Sequence, residues 1–126
     1  MRRFKGIILI IAFVAGSTTV LDAHGESKDP EASARATLAA FMSAWNAGDN
    51  VALRKAMNFP NVTLAGSRMM VAETPADFTT DFERMRREED WVRSSFEEIT
   101  ITQRSAEKVH CNVVYSRYNK KGEAYR

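Results

Sequence analysis

One cysteine, Cys111, and two histidines, His24 and His110, are all the soft metal ligands in 126 residues. A lone cysteine cannot close an internal disulfide, and a structural zinc site needs four Cys or His ligands, so a disulfide-stapled domain and a zinc module are both excluded. Three prolines and six glycines are too few for a collagen-like, Pro-rich or low-complexity chain. Neither sign of charge dominates, since 18 basic and 16 acidic residues leave a net charge of +2. The length is one domain's worth of polypeptide, with no room for a separate cofactor domain. What is present is an ordinary globular composition, 44% hydrophobic and 27% charged.

Long apolar runs are absent except at the N-terminus. Ile7 to Ala15 is nine apolar residues without a break, preceded by Arg2, Arg3 and Lys5 and followed by a more polar stretch. A basic head, a short apolar core and a small-residue exit read as a secretory signal peptide, and the run is short against the roughly 20 residues that cross a bilayer. Ala23-His24-Gly25 offers the small residues that a signal peptidase prefers, which places cleavage after Gly25, with Ala23 as the alternative. The expected division is a leader over 1–25 and a domain over 26–126, in a secreted or periplasmic protein. The alternative is a chain anchored to the membrane by an uncleaved N-terminus. Residues 1–25 hold Arg2, Arg3, Lys5 and Asp22, so 18 − 3 = 15 basic and 16 − 1 = 15 acidic residues remain after cleavage. The domain is then neutral, and nothing in its charge points to nucleic acid. Cys111 falls inside an alternating apolar pattern and is expected to be an inert core residue.

After the leader, helix signals come first and strand signals last. Asp29-Pro30 is a cap followed by proline at the first helical position. Ala34, Leu38, Phe41, Met42 and Trp45 recur at helical spacing, and Gly48 ends the stripe. Asp49 opens a second, short helix with Ala52, Leu53, Ala56 and Met57 on its inner side, and Pro60 stops it. Asn61–Ala65 and Arg68–Ala72, separated by Gly66-Ser67, predict a hairpin. Thr74-Pro75-Ala76-Asp77 has the form of a capping box and predicts a third helix from Pro75 to about Asp90, with Glu83 and Arg87 as an i,i+4 pair. The mixed charges from Arg84 to Asp90 read as a solvated face. Phe96–Thr102 and Lys108–Tyr118 alternate as two long strands joined near Ser105-Ala106-Glu107, and Asn119-Lys120-Lys121-Gly122 is a turn.

This succession, with Trp45-Asn46-Ala47-Gly48-Asp49, Asn58-Phe59-Pro60, Leu53, and Val109 to Tyr118 ahead of Lys121-Gly122, resembles the nuclear transport factor 2-like superfamily, especially its SnoaL-like branch. The resemblance spans roughly residues 30–126. It implies an α+β fold in which N-terminal helices pack on a curved antiparallel sheet, a cone that often holds an apolar pocket and often dimerises through the sheet. Members of the superfamily usually carry further strands after the turn at Gly122, and only four residues follow here, so the final strands are expected to be missing and the edge of the last long strand to be short of a partner.

Enzymatic members of that superfamily place a carboxylate or His as general base beside Tyr or carboxylic acid donors in a dry pocket. The residues of those types here are Asp49, Asp77, Asp81, His110, Tyr115 and Tyr118, and capping already accounts for Asp49 and Asp77. No catalytic motif of the family matches residue by residue. The first expectation is therefore an exported, non-catalytic ligand-binding or association module without metal or cofactor, with Phe41, Trp45, Phe82, His110 and Tyr115 as the residues that would line a site for an apolar small molecule. The second is a small lyase or isomerase acting by general acid–base chemistry on an apolar substrate in the same pocket. A homodimer through the sheet is the expected partner arrangement. If the leader reading is correct, N-terminal sequencing of protein recovered outside the cytoplasm will begin at Glu26 or His24; intact Met1 on that protein would refute it.

Overall fold

The computed structural model describes residues 6–13 and 29–125, with side chains described from Asp29 onward. The basic head, the cleavage region at Ala23 to Gly25, and Arg126 lie outside the described residues. The elements are β1 (Gly6–Phe13), α1 (Pro30–Ala47), α2 (Asn50–Lys55), β2 (Asn61–Ala65), β3 (Arg68–Ala72), a 3₁₀ turn (Pro75–Asp77), α3 (Phe82–Glu88), β4 (Trp91–Arg104) and β5 (Lys108–Asn119). They make an α+β fold with two antiparallel sheets, one of three strands in the order β1-β5-β4 and one formed by the β2–β3 hairpin.

The helix ends follow the sequence signals. Asp29 accepts the Glu31 amide, Pro30 sits in the first turn, and Gly48 ends α1 at φ 67° while its N–H bonds back to Ala44 and Trp45. One residue later Asp49 accepts the Val51 and Ala52 amides and opens α2. Gly48 thus packs a stop and a start into two residues. Only a glycine holds that left-handed backbone without strain, and a Cβ there would also stand 2.7 Å from the Arg86 guanidinium.

The single third helix expected over Pro75 to Asp90 is two pieces. Asp77 closes the first: its carboxylate accepts both the Thr74 N–H and the Thr74 hydroxyl at 2.8 Å, which holds the acid below the usual carboxylate range. The helix cannot continue because α2 takes up the polar groups of the next residues. Asn50 donates to the Thr80 carbonyl (3.0 Å) and accepts the Thr80 N–H (2.9 Å), while Arg54 donates to the Phe78 carbonyl (2.8 Å). Asp81 then caps α3 by accepting the Arg84 amide. Within α3, Glu83 pairs with Arg86 at 2.6 Å rather than with Arg87, three residues being the reach that puts Arg86 on its side.

Asp90, at φ 54°, turns the chain out of α3 into β4, in a backbone region that Asp tolerates better than most residues, and its carboxylate meets Lys120 at 2.9 Å. β4 begins at Trp91, five residues before the expected start at Phe96, and the reason is in its register. Its pairing with β5 skips at Val92, Glu97 and Thr102, so Trp91, Ser94, Phe96, Ile99 and Ile101 share one face at spacings of three, two, three and two. A strict period of two read back from Ile101 would have turned Glu97 and Arg93 inward; each bulge restores the alternation to the helix side. β5 has no such skip, and Val109, Cys111, Val113, Tyr115 and Arg117 lie along the same face.

Two clusters fill the layer between helices and sheet. Leu38, Cys111 and Val113 are buried together with Phe96, Ile99 and Ile101 against them. Ala44, Leu53, Phe82, Met85 and Trp91 form the second, flanked by Phe41, Trp45 and Tyr125. The stripe read on α1 is therefore shared: Leu38 faces the sheet centre, and Phe41 and Trp45 face α3 and the start of β4. Burial pushes the Cys111 thiol up from its ordinary range, in keeping with a core residue.

β1 lies where a bare edge was expected. Gly6–Phe13 runs antiparallel along β5, from Gly6 opposite Tyr115 to Phe13 opposite Lys108. The apolar run read as a leader is thus also a good strand, since consecutive Ile and Leu suit either setting.

Replacing Gly48 by Ala will lower stability by about 1–2 kcal/mol through the left-handed backbone alone. A urea midpoint equal to that of the wild-type chain would show that the two-residue stop and start is not held by this glycine.

Candidate functional site

The five residues expected to line a site separate into three places. Phe41, Trp45 and Phe82 do come together, but as packed rings: Phe41 stacks on Trp45 with centroids 6.0 Å apart, and Trp45 meets Phe82 edge-on at 5.3 Å. Trp91, from the unforeseen start of β4, completes the group at 6.5 Å from Trp45 and 5.7 Å from Phe82. Side chains of the chain itself thus occupy the space that the rings enclose. Tyr115 lies farther along β5 on the helix-facing side, opposite Phe96. His110 is on the other face of the same strand, because residues an odd number apart on an unbroken strand point oppositely. The structure therefore does not bring His110 and Tyr115 together as two walls of one pocket.

The aromatic group is organised around a serine that sequence reasoning passed over. Ser94 is buried, and its hydroxyl oxygen accepts the indole N–H of Trp45 (3.2 Å) and that of Trp91 (3.0 Å). Its main chain is held by Asn46, whose amide donates to the Ser94 carbonyl (2.9 Å) and accepts the Ser94 N–H (2.7 Å). No spacing rule marks Asn46 or Ser94 in advance. The only hint is an Asn in the last turn of a helix, where that residue type competes poorly as a helix former.

Two guanidinium groups border the rings. Arg86 lies 5.6 Å from the centroid of Trp91, and Arg117 lies 5.7 Å from that of Trp45. Arg117 also donates to Glu89 at 2.7 Å, and the Tyr125 hydroxyl donates to the same carboxylate at 3.2 Å. With Arg117 and Glu89 both largely covered, this ion pair ties α3 to the far end of β5. Burial first, and the Glu89 charge second, push the Tyr125 phenol up, so it stays protonated and able to donate.

The remaining acid–base candidates serve local structure. Asp49, Asp77 and Asp81 accept N–H groups at the starts of their helical turns. Tyr118 is on the outer face, with its hydroxyl donating to Glu97 (2.8 Å) and Arg93 stacked 3.8 Å from its ring centroid. Hydrogen bonds from Ser95 and then Tyr118 hold Glu97 below the ordinary glutamate range. Among the described residues no group of His, Cys, Asp and Glu is placed to hold a metal ion, and no helix is long and apolar enough to cross a membrane.

The most unusual surface is the β2–β3 hairpin. Its register sets Val62 opposite Val71 and Leu64 opposite Met69, which puts all four on one face. That face is open: Val62 is 54% exposed, Leu64 71%, Met69 68% and Val71 47%. Composition and alternation predicted the two strands but not that their apolar side would lack a covering layer.

Comparison with known proteins adds no relative: no family model, no curated protein and no solved structure matches the chain.

Ser94→Ala will leave two indole N–H groups without their acceptor, at a cost of about 1–3 kcal/mol for each that stays buried. Tryptophan emission will shift as the rings loosen. An unchanged unfolding midpoint and spectrum would mean that the hydroxyl does not organise the group.

Proposed function

We propose that this chain is an exported, non-catalytic association module with the architecture of the nuclear transport factor 2-like superfamily. The observation that carries the reading is the exposed hairpin face of Val62, Leu64, Met69 and Val71. A two-stranded hairpin is marginally stable by itself, and a contiguous exposed apolar face marks a place where another surface docks. Asn61, Thr63, Arg68 and Met70 lie on the opposite face of the hairpin, so the four apolar side chains are gathered on one side.

Three further features support it. The order of helices, hairpin and long strands, with bulges that would curve β4, suits a cone-like sheet with α1 across it. The rings of Phe41, Trp45, Phe82 and Trp91 pack on one another, which favours a solid core over a pocket for an apolar substrate. The carboxylates available for proton transfer act as helix caps, which favours association over acid–base chemistry. Export follows from the basic head and apolar run of the first fifteen residues.

Changing Leu64→Lys together with Met69→Glu places an opposite-charge pair across the hairpin, which keeps the strands compatible while removing the apolar face. The double variant will bind a hydrophobic dye severalfold more weakly and associate less in sedimentation, with the melting temperature held. Unchanged dye binding and association would remove the hairpin from the account.

A further inference from the structure

We propose that Met69 is an oxidation site that regulates the hairpin face: its thioether takes up oxygen from a peroxide, and the resulting sulfoxide weakens docking on that face. The inference rests on the hairpin reading of the proposed function and adds a chemical control to it.

Five methionines fall among the described residues, and the fold treats them differently. Met85 is 5% exposed in the cluster between helices and sheet, and Met42 and Met57 are half-buried. Met69 and Met70 are the exposed ones, at 68% and 49%. They follow the turn at Gly66, where a Cβ would meet nothing within 4 Å, so the end of the hairpin is open to a small oxidant from solvent. Cys111 is a poor competitor, because burial raises its thiol and keeps the reactive thiolate scarce.

Adjacent residues of a strand point to opposite faces, which gives the two exposed thioethers different consequences. Met69 stands opposite Leu64 and shares the apolar face with Val62 and Val71, whereas Met70 stands opposite Thr63 on the other face. Oxidation of Met70 leaves the apolar face as it was. Oxidation of Met69 puts a polar S=O beside Leu64 and Val71. In the free chain that oxygen is solvated and costs the fold little, since the side chain is exposed already. On docking its water must be stripped away, and an apolar surface offers no hydrogen bond in return.

The step balances with hydrogen peroxide as the oxidant. A sulfur lone pair attacks one peroxide oxygen and the O–O bond breaks. The sulfur is oxidised to the sulfoxide, the peroxide is reduced, and the proton of the attacked oxygen passes to the leaving one, which departs as water. Thiol-dependent methionine sulfoxide reductases, one for each sulfoxide epimer, reverse the change.

The test treats the full chain with hydrogen peroxide and follows peptide mass maps, hydrophobic-dye binding and melting temperature together. Met69 and Met70 will gain oxygen well before Met85, and dye binding will fall severalfold in step with Met69 while the melting temperature holds. Met69→Leu keeps the apolar volume and removes the sulfur, so its dye binding will withstand the same treatment. Met70→Leu will lose binding as the wild-type chain does, and the two reductases will restore it. The inference is overturned if Met69 oxidises no faster than Met85, if binding persists once Met69 is oxidised, if Met69→Leu loses binding as well, or if the melting temperature drops as Met69 is oxidised. The unoxidised double variant Leu64→Lys with Met69→Glu decides the hairpin reading separately. Weak dye binding by that variant, with the wild-type chain indifferent to peroxide, leaves the face in place and removes its regulation; unchanged binding by that variant removes both.

Discussion

An asparagine side chain that donates and accepts as a strand neighbour would do holds the helical layer to the sheet. Asn46, in the last turn of α1, forms both hydrogen bonds of the Ser94 main chain, and the indole of the adjacent Trp45 reaches the Ser94 hydroxyl. With its amide pinned to β4, the end of α1 has one position on the sheet. Gly48 and Asp49 then have one direction in which to send α2. Asn50 and Arg54 on α2 hold the backbone of Phe78 and Thr80, Asp81 starts α3, and Phe82 closes over Trp45 and Trp91. Each link in that chain depends on the one before it, and the first is two hydrogen bonds to a buried serine, which are costly to leave unmade.

Local chemistry was legible wherever it is decided locally. Asp29-Pro30, Gly48-Asp49, the hairpin over residues 61–72 and the Thr74–Asp77 pair all follow from cap and turn residues acting within four positions of themselves. The misreadings have non-local causes. Phe78 to Thr80 leave the helical path because side chains 24 and 30 positions earlier in sequence take their polar groups. Trp91 to Ser95 do not look like a strand because a bulge at Val92 breaks the period that identifies one. Ile7 to Ala15 reads as a leader, and Gly6–Phe13 pairs as a strand, because an apolar run without polar alternation carries no mark that tells one setting from the other.

For the candidate site the aromatic stripe was visible and its meaning was not. Phe41, Trp45 and Phe82 converge, yet spacing alone cannot say whether rings that converge enclose a space or fill it; the unforeseen Trp91 packs among them here. His110 and Tyr115 could be assigned to opposite faces of β5 from their odd separation, and the bulges leave that assignment intact because all three fall in β4. The surface that carries the functional account, the hairpin face, was legible as two strands. It became legible as a surface only when the layers around it were known.

The most direct measurement of the central claim is native-state hydrogen exchange at the Ser94 amide, which donates to Asn46 at 2.7 Å. If the clamp organises the domain, this amide opens only with global unfolding, and its exchange free energy equals the stability found by urea denaturation. Exchange at a much lower free energy, with the core amides of β5 still protected, would show α1 leaving the sheet while the rest stays folded, and would contradict the account.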